Sequence, residues 1–345
     1  MDLTIAAILG LDGITNGAIY ALVAIALVLV FAVTRIVFIP QGEYVAFGAL
    51  TMALLQTGQV PGTVWLLLMM TAAVAVLDAG QAVRERWPVA RIARHALRTF
   101  AWPLAAALLV IAMAPARPPL LVQAALTLAL VTPMGPLVYR LAYRSLADSS
   151  VLVLLIVSVG VHFTLTGLGL VFFGAEGFRN PPFWDQRFTF GPLGLTGQTL
   201  IIFVASIALI VALFLYFGHT LSGKALRATS VNRTGARLMG IATDSAGSLS
   251  FTMAAFIGAL SGLLIGPSTT IYYDSGFLIG LKGFVAAVFA GLTSFPLALA
   301  GALGVGLVES FGSFWASAFK EVIVFTAILP VLLWRSFVDV HPEEH

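Results

Sequence analysis

The sequence predicts an all-α polytopic membrane protein, and three observations carry that expectation. Of 345 residues, 60 % are hydrophobic and 10 % charged, against about 45–50 % and 25 % in soluble domains. The mean hydropathy is +1.02. The apolar residues also gather into runs of the length a helix needs to cross the bilayer, about 20 residues for roughly 30 Å of hydrocarbon. A chain this poor in charge cannot cover a soluble surface, so soluble, disordered and collagen-like classes are excluded. The absence of cysteine excludes disulfides, thiolate metal sites and Cys nucleophiles.

Read in order, the runs give about eleven membrane segments, some short, broken or re-entrant. They are 5–34, 41–57, 61–77, 102–115, 119–139, 151–173, 197–217, 246–269, 277–294, 296–315 and 319–335. The first is long and carries Asp12, Gly13, Asn16 and Gly17. The second opens on Pro40-Gln41-Gly42-Glu43, where Pro and Gly break the helix and let backbone and carboxylate face a cavity. The fourth begins at Trp102-Pro103. The sixth bears Ser158, His162 and Thr166 at four-residue intervals, on one helix face. That face reads either as a polar stripe lining a pathway or as hydrogen bonding between packed helices. Gly258, Gly262 and Gly266 in the eighth, and Gly276 and Gly280 at the start of the ninth, form small-xxx-small surfaces for helix packing, within one bundle or at a subunit interface. Glu309 lies in the tenth, and Lys320-Glu321 open the eleventh.

Orientation follows the basic residues. The stretches 78–101, 140–148 and 218–245 hold most of the arginines and are expected to be cytoplasmic. Eleven crossings put all three on one side, with Arg35 and the C-terminal tail, and put the N-terminus and the loop 174–196 outside. Met1 and Asp2 precede an apolar run with no basic region, so no cleavable signal peptide is expected. The net charge of +3 reflects this loop bias and gives no reason to expect nucleic acid as a partner, whereas membrane lipid is one.

Soluble catalytic motifs are missing. Gly218-His219-Thr220-Leu221-Ser222-Gly223-Lys224-Ala225 approaches the phosphate-cradling loop, but Ala225 stands where a hydroxyl should hold Mg²⁺ and a membrane span precedes it. The five histidines, His95, His162, His219, His341 and His345, lack metal-ligand spacing, so no metal site and no catalytic residues are expected. Charge inside an apolar segment is costly and points to function by default. The cases are Asp12, Glu43, Lys282 and Glu309, and Lys282 is expected to snorkel or to pair with a carboxylate such as Glu309. Asn16, Tyr20, Gln41, Glu43, Ser158, His162 and Thr166 are therefore candidates for a translocation path. The segment 218–245 is too long for a tight turn. It reads as a short basic helix, either facing lipid headgroups or docking another protein.

The run Asn16-Gly17-Ala18-Ile19-Tyr20-Ala21-Leu22 with Gln41-Gly42-Glu43-Tyr44 resembles the H-type permease of branched-chain amino acid ABC importers. So do Gly223-Lys224-Ala225-Leu226-Arg227-Ala228 with Asn232-Arg233 and Ala236-Arg237-Leu238-Met239-Gly240-Ile241, the stretch Gly276 to Val288, and Lys320-Glu321 with the span to Arg335. The resemblance covers about 1–60 and 119–336, departing in Gln41, where the family usually has His, and in the stretch 61–139, where it usually has one span. It implies a single non-catalytic permease domain over 1–345 in the bacterial inner membrane. ATP and Mg²⁺ would bind two separate ATPase subunits, with a second, M-type permease and a periplasmic substrate-binding protein as further partners. It assigns ATPase coupling to 218–245, through Leu226, Arg227, Asn232, Arg233, Ala236, Arg237 and Gly240. The implied cargo is a branched-chain or related small amino acid, with urea, amides or aromatic acids as alternatives. The rival class is a stand-alone secondary transporter or channel, which would need an ion-coupling site or pore ring.

Overall fold

Helix α1 (Leu3–Thr34) is the axis of the structure, a computed structural model describing residues 3–190, 193–292, 294–327, 329, 330 and 333. Met1 and Asp2, and the end of the eleventh expected segment through Arg335 to the tail with His341 and His345, lie outside the described residues. From Gly17 to Val30 every residue of α1 is buried, as expected of a helix apolar on all sides. Around it pack α11 (Thr243–Ile265), α12 (Ser275–Phe289) and α13 (Phe295–Ala316), and α2 (Gln41–Thr57) packs on α11 and α12. Outside this group lie α3 (Gly62–Arg84), α4 (Val89–Met113) and α5 (Leu120–Val131), with the short α6 (Met134–Val138) after the break at Pro133. Helices α7 (Val151–Phe173) and α8 (Gly197–His219) leave wide apolar faces exposed, the faces a lipid would cover.

Among the described residues, eight helices are long and apolar enough to cross a membrane: Leu3–Thr34, Gly62–Arg84, Val89–Ala116, Leu120–Leu146, Val151–Phe173, Gly197–His219, Thr243–Ile265 and Phe295–Thr326. The sequence led to about eleven, and the difference has local causes. Helices α2 and α12 have 17 and 15 residues, about 25 and 22 Å at 1.5 Å per residue, and both begin part-way through the bundle. Gln41 Nε2 donates to the Ala254 carbonyl at 2.9 Å, half-way along α11, and Glu43 meets His162, the middle of α7. The non-helical chain 35–40 starts at the exposed Arg35 and runs inward to this depth with Ile36, Phe38 and Pro40 buried against protein. Gly276, at the start of α12, faces Gly42 so closely that a Cβ on Gly42 would overlap the Gly276 carbonyl and lie 2.9 Å from Gly280 N. The third cause is at the end. A turn at Ser317–Phe319 sends α14 (Lys320–Thr326) back along α13, so that a Cβ on Gly312 would lie 3.4 Å from Ile323.

Helix ends follow local chemistry. Thr220 accepts from Gly223 N–H at 2.9 Å and opens α9 (Leu221–Val231), and Asn232 Oδ1 accepts from Gly235 N–H at 2.8 Å and opens α10 (Arg233–Leu238). Gly240 closes α10 in the left-handed region, φ 81°. Strands β1 (Arg187–Phe190) and β2 (Leu193–Thr196) pair antiparallel with Arg187 opposite Thr196.

The connections divide between two ends. At one end Arg140 donates to Asp78, which also binds His95 at 3.1 Å, joining the ends of α3 and α4 to 139–143. Arg144 pairs with Asp244 at 3.1 Å and Arg237 with Asp148 at 3.0 Å, adding 218–245 to the same end. At the other, Phe178 bridges Ile271, Arg179 donates to the Pro267 carbonyl at 3.0 Å, and Asn180 N–H to that of Gly266 at 3.1 Å.

Candidate functional site

Two polar clusters interrupt the apolar interior, and both gather where helices are short or reversed. The first surrounds the first turn of α2. Glu43 is wholly buried, and its Oε1 is hydrogen-bonded to His162 Nδ1 at 2.9 Å. Thr166 Oγ1 lies 3.5 Å from the same nitrogen. The imidazole lies against Phe277 of α12, ring centroids 4.7 Å apart, and against Phe163, 5.1 Å away. Glu43 Oε2 and Gln41 Oε1 are buried without a hydrogen-bond partner. A buried carboxylate with one free oxygen is poised to accept a donor. It sits where α2, α7 and α12 converge at half depth, beside the partly exposed Phe277.

The second cluster joins α1, α12, α13 and α14. Lys282 Nζ donates to Glu309 Oε1 at 2.6 Å and to Glu321 Oε1 at 3.1 Å. The Tyr20 hydroxyl donates to Glu309 Oε2 at 2.6 Å, and the ammonium stands 5.6 Å from the Tyr20 ring centroid. One ammonium thus faces two carboxylates. Removing one partner of such a buried pair costs about 3–5 kcal/mol, because the remaining charge is left uncompensated. The cluster fixes the returning α14 to the central helices.

The path candidates do not form one stripe. Tyr20 belongs to the second cluster through its bond to Glu309, with half-buried Asn16 one turn away. Gln41, Glu43, His162 and Thr166 form the first. Ser158, on the same buried face of α7 one turn from His162, joins neither cluster, its Oγ lying 3.0 Å from the Tyr143 hydroxyl. The packing glycines lie inside the chain. Gly258 meets Tyr44 and Gln41, Gly262 meets Val45 and Ala49, Gly266 meets Asn180, and Gly276 and Gly280 meet Gly42.

In the segment 218–245, Leu226 and Ala236 are buried while Leu238 and Met239 are 84 % and 83 % exposed. Its arginines are mostly tied to the same chain. Arg233 donates to the Ala147 carbonyl at 2.8 Å, and Arg237 donates to Thr243 at 2.9 Å as well as to Asp148. Asn232 caps α10. The Gly218–Ala225 run is the end of α8 and the first turn of α9, with no phosphate cradle. Among the described residues no group of three or more His, Cys, Asp or Glu is placed to hold a metal. Sequence reasoning missed the Asp78–His95–Arg140 clamp and the Asp148–Arg237 pair. It named Glu43 and His162 separately; the signal for pairing them was that each polar group in an apolar helix needs a partner.

The family described as "Branched-chain amino acid transport system / permease component" matches residues 89–333 of this chain. The chain belongs to this family. The permease is 26 % identical over 338 residues to the high-affinity branched-chain amino acid transport system permease protein BraD of Pseudomonas aeruginosa, covering 94 % of this chain and 92 % of BraD. It is 29 % identical over 201 residues to the corresponding LivH of Escherichia coli, covering 56 % of this chain and 65 % of LivH. A shorter match, 30 % over 131 residues, covers 38 % of this chain and 34 % of the autoinducer 2 import system permease protein LsrC of Yersinia enterocolitica. No solved structure matches the chain. The protein is a permease component of a transport system, a multi-pass protein of the inner membrane. The family match begins inside the Arg-rich stretch and includes α4, which the motif resemblance had left out.

Proposed function

We propose that this permease imports branched-chain or related small amino acids as one of two permeases, the other M-type, in an ATP-driven importer. Two ATPase subunits would bind ATP and Mg²⁺, and a periplasmic binding protein would deliver cargo. The observation that carries the reading is the segment 218–245. It is clamped to the bundle through Arg233 and Arg237, yet it presents Leu238 and Met239 outward. A rigid element with an exposed apolar tip suits a cleft on a partner. In this reading the arginine-rich end is cytoplasmic, by the positive-inside rule. Closure of the ATPases would move α9 and α10 as a body and switch the bundle between outward and inward access. Glu43, with its free oxygen and His162 beside it, would border the path and offer an acceptor to the ammonium of a zwitterion.

Uptake of radiolabelled leucine tests the cargo, in cells lacking the native importer and supplied with this permease and its partner subunits. Expected is saturable uptake that isoleucine and valine compete for and urea does not. Uptake no greater than in cells without the permease would refute the amino acid reading.

A further inference from the structure

Between α1, α8, α9 and the start of α13 lies a cavity of about 340 Å³, within the roughly 300–1,000 Å³ of small-molecule pockets. Its walls include Leu29, Leu213, Phe217, Leu226 and Leu299. Its only hydrophilic side chains, Arg227 and Ser230, sit together on α9. The other arginines of 218–245 are engaged, Arg233 with the Ala147 carbonyl and Arg237 with Asp148 and Thr243, and Arg35, just past the lining residues Ala32 and Val33, lies over the Phe31 ring. Arg227 makes no ion pair and no side-chain hydrogen bond among the described residues, and its side chain is exposed. The Ser230 hydroxyl donates to the Arg227 carbonyl at 2.8 Å, which leaves its oxygen free to accept. Phe214, also in the lining, is exposed on the outer face of α8, so the cavity opens sideways between two membrane-crossing helices.

An apolar slot inside the bilayer, ending at an unpaired guanidinium, fits a molecule with a hydrocarbon chain and one anionic end. We propose that the cavity is a binding site for one anionic phospholipid, with an acyl chain along Leu29, Leu213, Phe217 and Leu299 and its phosphate at Arg227. Guanidinium binds phosphate through paired, charge-assisted hydrogen bonds. Burial of the chain adds the apolar contribution that a free phosphate lacks. Because α9 forms one wall, an occupied slot holds α9 at a fixed distance from α1 and α8. The binding site stands on the cavity and the free arginine alone, and does not depend on the coupling role of 218–245.

The test is lipid binding to the purified full chain in mild detergent, followed by native mass spectrometry. The probes are phosphatidylglycerol and phosphatidylcholine with the same dioleoyl chains, and glycerol phosphate as the chain-free anion. Phosphatidylglycerol is expected to bind roughly tenfold more tightly than phosphatidylcholine, because the trimethylammonium of phosphatidylcholine offsets the attraction of Arg227 for the phosphate that both lipids carry. Arg227→Gln should weaken phosphatidylglycerol more than phosphatidylcholine and so abolish the preference. Leu213→Trp, which fills the slot, should weaken both lipids. Arg227 is exposed, so its variant remains informative if Leu213→Trp does not fold. Equal binding of the two lipids, a preference that survives Arg227→Gln, or competition by glycerol phosphate as strong as by the lipid would overturn the proposal. So would an Arg227→Gln variant that loses only co-purifying protein, for then the arginine serves a protein contact.

Discussion

Replacing His162 by Leu should damage the permease more than replacing its partner Glu43 by Gln. His162 is the hydrogen-bond partner of Glu43 Oε1, and Oε2 has none. With Leu at 162 the carboxylate would sit fully buried without the imidazole, and breaking a buried pair in this way costs about 3–5 kcal/mol. Glu43→Gln keeps the shape and removes the charge, so the loss should stay near one unsatisfied neutral group, about 1–3 kcal/mol. Adding Glu43→Gln to His162→Leu should recover part of the loss, a coupling of about 0.5–3 kcal/mol for groups in contact. The assay is denaturant unfolding of the purified permease in detergent micelles, for the wild type, both single variants and the double. His162→Leu as stable as wild type, or strictly additive losses, would refute the pairing as a source of stability. Transport in the same set separates the second role. Glu43→Gln should still assemble yet lose most uptake, and normal uptake would leave Glu43 a structural residue only.

Three further outcomes follow from the packing and the charge distribution. Gly42→Ala has no side chain to displace, only the backbone of Gly276 and Gly280, so it should lose at least the 1–3 kcal/mol of ordinary overpacking; Gly160→Ala, with open space around it, should lose nothing in the same unfolding assay. Lys282→Met should leave the buried Glu309 without its cation while Glu321 keeps Lys320 at 3.9 Å, destabilising by about 3–5 kcal/mol, and Lys282→Met/Glu309→Gln should be milder, as unfolding midpoints will show. Ala90→Cys should be spared, and Phe183→Cys labelled, by an impermeant thiol reagent on intact cells. The reverse pattern would invert the orientation.

How much of this was legible in the sequence depended on range. Long apolar runs marked α1, α7 and α8 closely, because a span is a local property of composition. Glycine spacing located close packing but not its object; that Gly276 meets Gly42 is a contact between segments more than two hundred residues apart. The half-depth starts of α2 and α12 were hinted at by Pro40 and Gly42, but only the tertiary contacts of Gln41 and Glu43 fix their level. Polar residues in apolar helices were correctly conspicuous, yet their grouping into two clusters is set by helix packing. Arg237 shows the limit most plainly. Its charge looked available to a partner, and the structure gives it Asp148 of the same chain.

That placement also decides the most direct test of the coupling segment. Reversing Arg237 would disturb its own pairing, whereas Leu238 and Met239 are exposed and touch little of this chain. The measurement is co-purification of the ATPase subunits with Leu238→Asp/Met239→Asp, followed by substrate-stimulated ATP hydrolysis in the reconstituted importer. Gly240→Val, which puts a β-branched side chain at φ 81°, serves as a second variant that deforms the turn. The account predicts that both variants insert in the membrane at wild-type levels, that the double variant loses most of its ATPase, and that Gly240→Val retains ATPase with weakened stimulation. Normal co-purification and normal stimulation in both would contradict it and leave 218–245 a loop on the membrane surface.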